Sequence, residues 1–426
     1  MKARSVVGIV LATVVVTTLA WLLLMNLTLG NKQIDERILT RYAVADPQFR
    51  RVMGSLLGPP ILEGNRVEAL VNGERIFPAM LDAIRGAQHS ITFETYIYWS
   101  GTIGREFADA LAERARAGVA VHVMLDWWGS DGIEELNLEA MRAAGIEVQR
   151  YNPPRPGSLG RMNNRTHRKL LVVDGSVGFI GGVGIADPWR GDAQDPQHWR
   201  DTHFKVVGPV VAQLQSAFLD NWITVTGRVL HGTAYLPDLA PAGTHAAQAF
   251  TSAPGGGAES VQFMVLMSIA AARETVRLSM AYFVPDNVAV AALVAARARG
   301  VRVQMIVPGV HTDRAILRHA SRFEWGPLLR AGVEIYEYQP TMYHCKVMIV
   351  DDVWTSVGST NFDSRSFSVN DEANLNILDA EFALAQAAIF DADLRLSRRV
   401  TLAQWQARPW RDKLLDALAG TLSSQL

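Results

Sequence analysis

The sequence predicts an α/β fold built from two similar halves and preceded by an apolar helix. Three observations carry this. The pattern H-x-K-x4-D occurs twice, as His167-Arg168-Lys169 to Asp174 and as His344-Cys345-Lys346 to Asp351. Each copy closes a matching succession of helix-like and strand-like segments. An uncharged run over residues 5–31 stands apart from everything that follows.

The N-terminal piece, residues 1–31, places Lys2 and Arg4 before a run dense in Val, Leu and Ile. That length spans a bilayer. It exceeds a signal-peptide core, and no A-x-A cleavage site follows. The expectation is one uncleaved membrane helix that anchors the chain in the cell (inner) membrane. Lys32, Arg37 and Arg41 follow closely, so the charge rule does not set the orientation. Residues 32–60 read as a polar connector with a short helix, ending at Gly58-Pro59-Pro60.

The first half, 61–226, has helical spacing over 77–87, a strand over 91–98, a helix over 107–117 and a strand over 119–125. The second half, 258–426, repeats this over 261–272, 276–283, 288–299 and 301–307. Each continues with a helix, a strand opening on Ala-Gly-[Ile/Val]-Glu, and its motif strand. Alternating strands and helices predict an α/β layered fold with a parallel or mixed sheet. Two such halves make a pseudo-dimer within one chain. Residues 227–257, rich in Pro, Gly, Ala and Thr, read as the linker. Residues 381–406 have helical periodicity and carry Arg395, Arg398 and Arg399. With Trp405 and Trp410 they either pack on the domain or touch a lipid interface.

The motif has a physical logic. Residues 170–173 and 347–350 are aliphatic runs bounded by turn residues, so they read as buried strands. Side chains alternate along a strand, so His167 and Lys169 share a face, as do His344 and Lys346. An imidazole that attacks or protonates, beside an ammonium that holds anionic oxygens, suits a phosphate. Asp174 and Asp351 complete the motifs and are counted with the catalytic set, but they fall on the opposite face and read as turn-forming. Further along, Asp201 and Glu372 occupy equivalent places in the two halves. A catalytic imidazole needs a partner on its second nitrogen, and these carboxylates are the candidates.

Composition bounds the function. The chain has 426 residues, 49% of them hydrophobic, and a net charge of -1. That excludes the global basic field of a non-specific nucleic-acid binder. Arg161, Arg165, Arg168 and Lys169 still make a local basic cluster. The single cysteine, Cys345, excludes an intramolecular disulfide and a Cys-rich metal site, and reads as a small buried residue. Trp127 and Trp128 follow a strand and either line the site mouth or fill core.

These residues resemble the phospholipase D superfamily, and within it the bacterial cardiolipin synthases. The resemblance covers nearly all of the chain after about residue 60. Beyond the twin motifs it rests on Glu94-Thr95-Tyr96-Ile97, on Trp199 to His203 with Gly208-Pro209, on Tyr282 to Asp286, and on Gly358 to Phe367 leading to Asn370 and Glu372. It implies a duplicated α/β sandwich with one active site between the halves, a covalent phosphohistidine intermediate, and no metal or cofactor. By analogy His167 is the nucleophile and His344 the general acid/base, or the reverse. Lys169, Lys346 and Asn361 would bind phosphate oxygens, with Ser359 assisting. The implied partners are the bilayer and its phospholipids, phosphatidylglycerol and phosphatidylethanolamine among them, with no nucleic acid expected. The implied reaction converts two phosphatidylglycerols to cardiolipin and glycerol. Hydrolysis to phosphatidic acid, or a phosphodiesterase or nuclease activity, is the alternative. The chain departs from the family at Gly184, which matches Asn361 where the family has Asn, at Thr166, at Met280-Ala281, and in showing one apolar helix where the family often has two.

Overall fold

The computed structural model describes residues 2–28, 34, 36–154, 163–254 and 259–422. The N-terminal part holds α1 (Lys2–Thr28) and α2 (Pro47–Leu57). The first half runs β1 (Leu62–Val71), α3 (Asn72–Gly86), β2 (Ser90–Thr95), α4 (Thr102–Arg116), β3 (Ala120–Asp126), α5 (Glu135–Ala143), β4 (Glu147–Tyr151), β5 (Lys169–Val173), β6 (Val177–Gly181), β7 (Thr202–Val207) and α6 (Val211–Thr226). The second runs β8 (His245–Ser252), α7 (Glu259–Ala271), β9 (Thr275–Met280), β10 (Phe283–Val284), α8 (Asn287–Ala298), β11 (Arg302–Pro308), α9 (Ala315–Arg330), β12 (Glu334–Tyr338), β13 (Lys346–Val350), β14 (Trp354–Gly358), β15 (Phe362–Asp363), α10 (Ser364–Ser368), β16 (Glu372–Leu378) and α11 (Ala380–Arg395). The chain ends with β17 (Ser397–Val400), α12 (Leu402–Gln406) and α13 (Trp410–Gly420).

The sheet order is β17-β12-β11-β9-β13-β14-β16-β8-β1-β7-β6-β5-β2-β3-β4. Read outward from its centre, the first seven strands on one side match the seven on the other, and β17 extends the edge of the second half. The halves join where β1 and β8 pair antiparallel, through Leu62 with Ala247 and Asn65 with His245. Within each half the outer strands are parallel (β2-β3-β4 and β9-β11-β12), and the motif strand runs antiparallel to its neighbours. The predicted mixed α/β duplication is therefore present.

Both motif strands are buried at every position. Their alternate residues serve different cores. Leu171 and Val173 pack into the outer core of the first half, and Met348 and Val350 into that of the second. Leu170, Val172, Val347 and Ile349 share one central core with residues of α6 and α11. That shared core locks the halves face to face, which is why the strands read as continuous apolar runs. The connector helix α2, capped by Asp46 and opened by Pro47, buries Phe49, Met53 and Leu57 in the outer core of the second half.

Several expectations need correction. Part of the 227–257 stretch is not linker, because His245–Ser252 forms β8 at the middle of the sheet. Its alanines blunt the alternation that marks a strand. Residues 255–257, and Lys32 of the connector, lie outside the described residues. Ser397–Val400, expected to be helical, is an edge strand on β12, where Arg398 pairs with Glu337 at 2.6 Å. Among the described residues no helix is long and apolar enough to cross a membrane. The side chains of α1 from Val6 to Trp21 are exposed.

Asp174 and Asp351 sit at the far ends of the motif strands from the histidines. Both have positive φ, 51° and 52°. Asp174 accepts hydrogen bonds from the backbone N–H groups of Gln88, His89 and Ser90, and Asp351 from those of Arg273, Glu274 and Thr275. They fasten the turn before the neighbouring strand in each half. Counting them as catalytic groups is corrected accordingly.

A buried ion pair also ties the halves. Arg200 donates through Nε and Nη2 to the two carboxylate oxygens of Asp393, at 3.0 and 2.8 Å, and the Tyr343 hydroxyl donates to the same group at 3.0 Å. Removing one partner strands the other charge. Asp393→Ala should lower unfolding free energy by about 3–5 kcal/mol, and replacing both residues with leucine should recover most of the loss. Chemical denaturation of the three proteins checks both statements.

Candidate active site

Both histidines open onto one cavity of about 420 Å³ between the halves. Each is placed by the strand that follows it and by a bridge to the opposite half. The His167 N–H donates to Asp371 O, and the His344 N–H to Arg200 O, both at 2.8 Å. These bridges bring each imidazole to the carboxylate of the other half. His167 Nδ1 lies 3.0 Å from both oxygens of Glu372, and His344 Nδ1 lies 2.7 Å from Asp201 Oδ2. The equivalence of Asp201 and Glu372 was legible in the sequence. The exchange of partners was not.

With Nδ1 donating to a carboxylate, each neutral ring keeps its Nε2 lone pair available. Burial pushes His167 down to about 4, against the opposing pull of Glu372. Burial and the Lys346 charge push His344 down too. Burial alone would raise Glu372 and Asp201. The facing imidazole and lysine override it, holding Glu372 at about 2 and Asp201 below its ordinary value. The result at neutral pH is a neutral His167 ring on ionised Glu372, with the His344 ring held against the Asp201 carboxylate.

The lysines are tethered alike. Lys169 Nζ donates to His167 O and Lys346 Nζ to His344 O, each at 2.7 Å. Lys346 Nζ also lies 3.2 Å from His344 Nε2. Burial lowers both, Lys169 to about 7. Tyr96 packs under Lys169 at 5.4 Å and Tyr282 under Lys346 at 5.9 Å, so each ammonium has an aromatic face. The tyrosines belong to the sequence signature but had no role in it. Tyr96 lies one residue after β2 and Tyr282 two after β9, so strict alignment of the halves does not pair them.

Asn361 lines the cavity, and its buried Oδ1 has no partner. Ser359 is fully buried and donates to Glu372 Oε2, so it steadies the carboxylate. The first half solves these positions differently. A Cβ at Gly182, the Ser359 equivalent, would lie 2.4 Å from Asp201 Oδ1. Its place is taken by the Trp189 indole, which donates to Asp201 Oδ2 at 2.9 Å. A Cβ at Gly184 would lie 2.8 Å from Ile97 Cβ, so an asparagine does not fit, and Ile97 lines the cavity there.

Other expectations divide. Trp128 lines the cavity and is exposed, whereas the Arg168 side chain faces away, donating to Ala217 O and Asp220. Alternation along the strand splits the basic cluster: Arg165 and Lys169 reach the cavity, Arg168 does not, and Arg161 lies outside the described residues. Cys345 is buried, its thiol pushed up to about 12 by burial, which suits a packing residue. Trp405 packs on the domain, its indole donating to Arg322 O, while Trp410 is exposed. Trp199, Asn370, Arg314 and Arg365 also line the cavity. No period or spacing marked them.

Comparison with known proteins agrees with this geometry. A family model described as cardiolipin synthase, PLD-like domain, matches residues 80–188 and 265–394. Cardiolipin synthase A of Pseudomonas syringae pv. syringae is 36% identical over 356 residues, covering 83% of this chain and 74% of its own length. Cardiolipin synthase 2 of Bacillus anthracis is 32% identical over 402 residues, covering 93% and 77%. In fold, the chain resembles the crystal structure of phosphatidylserine synthase of Haemophilus influenzae Rd KW20, with a TM-score of 0.69 at 13% identity, over 89% of this chain and 100% of that one.

One buried histidine on β7, two residues after Asp201, has no hydrogen-bond partner at either ring nitrogen. This is His203, which burial also pushes down to about 4. A folded-state value below the unfolded one means that the unfolded chain binds more protons between about 6.5 and 4. Stability should therefore fall as pH falls through that window. His203→Asn installs the residue found at the equivalent Asn374. At pH 5 the variant should escape about 2 kcal/mol of the acid-induced loss, as read by denaturant unfolding at pH 7 and pH 5.

Proposed function

Because the chain belongs to the cardiolipin synthase family of phospholipase D-like proteins, we propose that it joins two phosphatidylglycerols into cardiolipin and releases glycerol. The broader activity is that of a phospholipase D-type phosphatidyltransferase. The observation that carries the finer reading is the pair of imidazoles, one from each half, facing one cavity with Nδ1 on a buried carboxylate.

In this reading His167 Nε2 attacks phosphorus while His344 acts in its protonated form beside the Asp201 carboxylate, and the bond to the departing glycerol oxygen breaks as that imidazolium gives the oxygen its proton. A phosphatidyl group is left on His167. The hydroxyl of a second phosphatidylglycerol then loses its proton to His344 and attacks phosphorus, which frees His167. Lys169, Lys346 and Asn361 hold the charge that builds on the phosphoryl oxygens. Burial that keeps His167 neutral supports its assignment as the attacker. Glu372, held ionised, stabilises the ring as it gains positive charge.

The finer location is the membrane. Its support is the exposed apolar run of α1 and the outward face of α13, where Trp410, Leu414 and Leu418 recur at steps of four while Asp416 is buried against His319 and Arg322. Ile97, Trp128, Ile316 and Leu317 give the cavity an apolar wall suited to lipid.

The test offers labelled phosphatidylglycerol in mixed micelles with chelator present, and reads products by mass spectrometry. Cardiolipin and glycerol are expected. His344→Ala should lower kcat by about 10²–10⁴-fold, and His167→Ala should abolish turnover. Phosphatidic acid as the sole product would replace synthesis with hydrolysis. The pH profile of kcat/KM should rise through about 4 as His167 loses its proton, and fall through about 7 as Lys169 loses its charge. A profile flat from pH 6 to 8 would count against Lys169 as the anion holder.

A further inference from the structure

The cavity holds more positive charge than one phosphodiester needs. Beyond Lys169 and Lys346, its lining includes the guanidinium groups of Arg165, Arg314 and Arg365. These come from three places in the fold: the residue pair before the first motif, the residue before α9, and the first turn of α10. They nonetheless converge. All three line the one cavity together with Tyr96, and Tyr96 lies 5.1 Å from His167, ring to ring.

Arg365 is aimed by the opposite half. Its Nη1 and Nη2 donate to the side-chain and backbone oxygens of Asn163, each at 2.8 Å. Neither Arg365 nor Arg314 forms an ion pair with a carboxylate among the described residues. The acidic groups nearby are already engaged. Asp126 accepts from the amides of Trp128, Gly129 and Thr166 and lies 3.4 Å from Arg165. Asp363 caps α10 by accepting from Ser366 N, and Asp313 accepts from the Tyr282 hydroxyl. Burial, with the like charge of Arg165 adding to it, pushes Arg365 below its ordinary value. Arg165 is buried and Arg365 half-buried, and guanidinium groups of like charge in such surroundings are costly neighbours until an anion joins them. Their planar donor forks match phosphate oxygens.

The reaction proposed above brings two phosphodiesters to this cavity. One reacts at the histidines. The other belongs to the acceptor lipid and stays intact. We propose that Arg165, Arg314 and Arg365 form a second phosphate subsite, which holds the unreacting phosphodiester of the acceptor phospholipid while its glycerol hydroxyl reaches the phosphatidyl group on His167. This rests on the cardiolipin synthase reading. It gives a physical reason for a lipid alcohol to outcompete water: water carries no anion for the arginines to hold.

The experiment uses the full chain in phosphatidylglycerol micelles with ethanol as a competing acceptor that has no phosphate. Cardiolipin and phosphatidylethanol are measured together. In Arg314→Gln and in Arg314→Gln/Arg365→Gln the cardiolipin-to-phosphatidylethanol ratio should fall, at least tenfold in the double variant. Arg365→Lys, which keeps the charge, should recover part of it. An unchanged ratio, including one in which both products fall in step, overturns the subsite while leaving the synthase reading intact. A wild-type protein that makes phosphatidylethanol but no cardiolipin overturns both. Arg314 is exposed on a loop, so its single variant reports on the subsite even if the double variant folds poorly.

Discussion

The contact on which the structure depends is the crossed pairing of imidazole and carboxylate. Each histidine belongs to one half and its carboxylate to the other. Neither half alone could keep its ring oriented, and neither carboxylate could stay ionised in a dry interior without the facing imidazole and lysine. The chemistry therefore requires the halves to be locked together. The central core, the β1–β8 pairing and the Arg200–Asp393 pair do that locking. The two backbone bridges beside the histidines then set the register of the crossing to within one hydrogen bond.

Duplication made the fold legible. Periods of 2 and 3.6 residues, met twice in the same order, located most strands and helices of both halves. What escaped were strands whose pattern is diluted. β8 reads His-Ala-Ala-Gln-Ala-Phe-Thr-Ser, and its alanines supply little contrast. β17 carries two arginines that lie on an exposed sheet edge, where charge says little about helix or strand. These are also the elements that finish the sheet at its middle and its rim, so the sequence could suggest two halves without revealing how they join.

The site was legible where chemistry repeats and opaque where it does not. Both His–Lys pairs and the carboxylates Asp201 and Glu372 followed from alignment of the halves. The partner exchange depends on a tertiary seam, and no local spacing encodes it. Trp189, Asn370, Arg314 and Arg365 have no counterpart of the same type in the other half, so the repeat could not expose them. Each does work the repeat leaves undone: Trp189 supplies Asp201 with the donor that Ser359 supplies to Glu372.

The departures from symmetry have a direction. The second half keeps Asn361, with an unpartnered oxygen in the cavity, where the first half has Gly184 and packs Ile97 into the space. The first half thus presents an apolar side chain where the second presents a polar one, and arginines line the cavity near Tyr96. A site that binds two identical lipids in sequence does not need two identical half-sites. It needs one place where phosphorus reacts and another where a second headgroup waits. A duplicated fold supplies both once its halves are not equivalent. Gly184 is then better understood as part of that division than as decay of a catalytic residue, because the histidine, lysine and carboxylate around it remain in full hydrogen-bonded order.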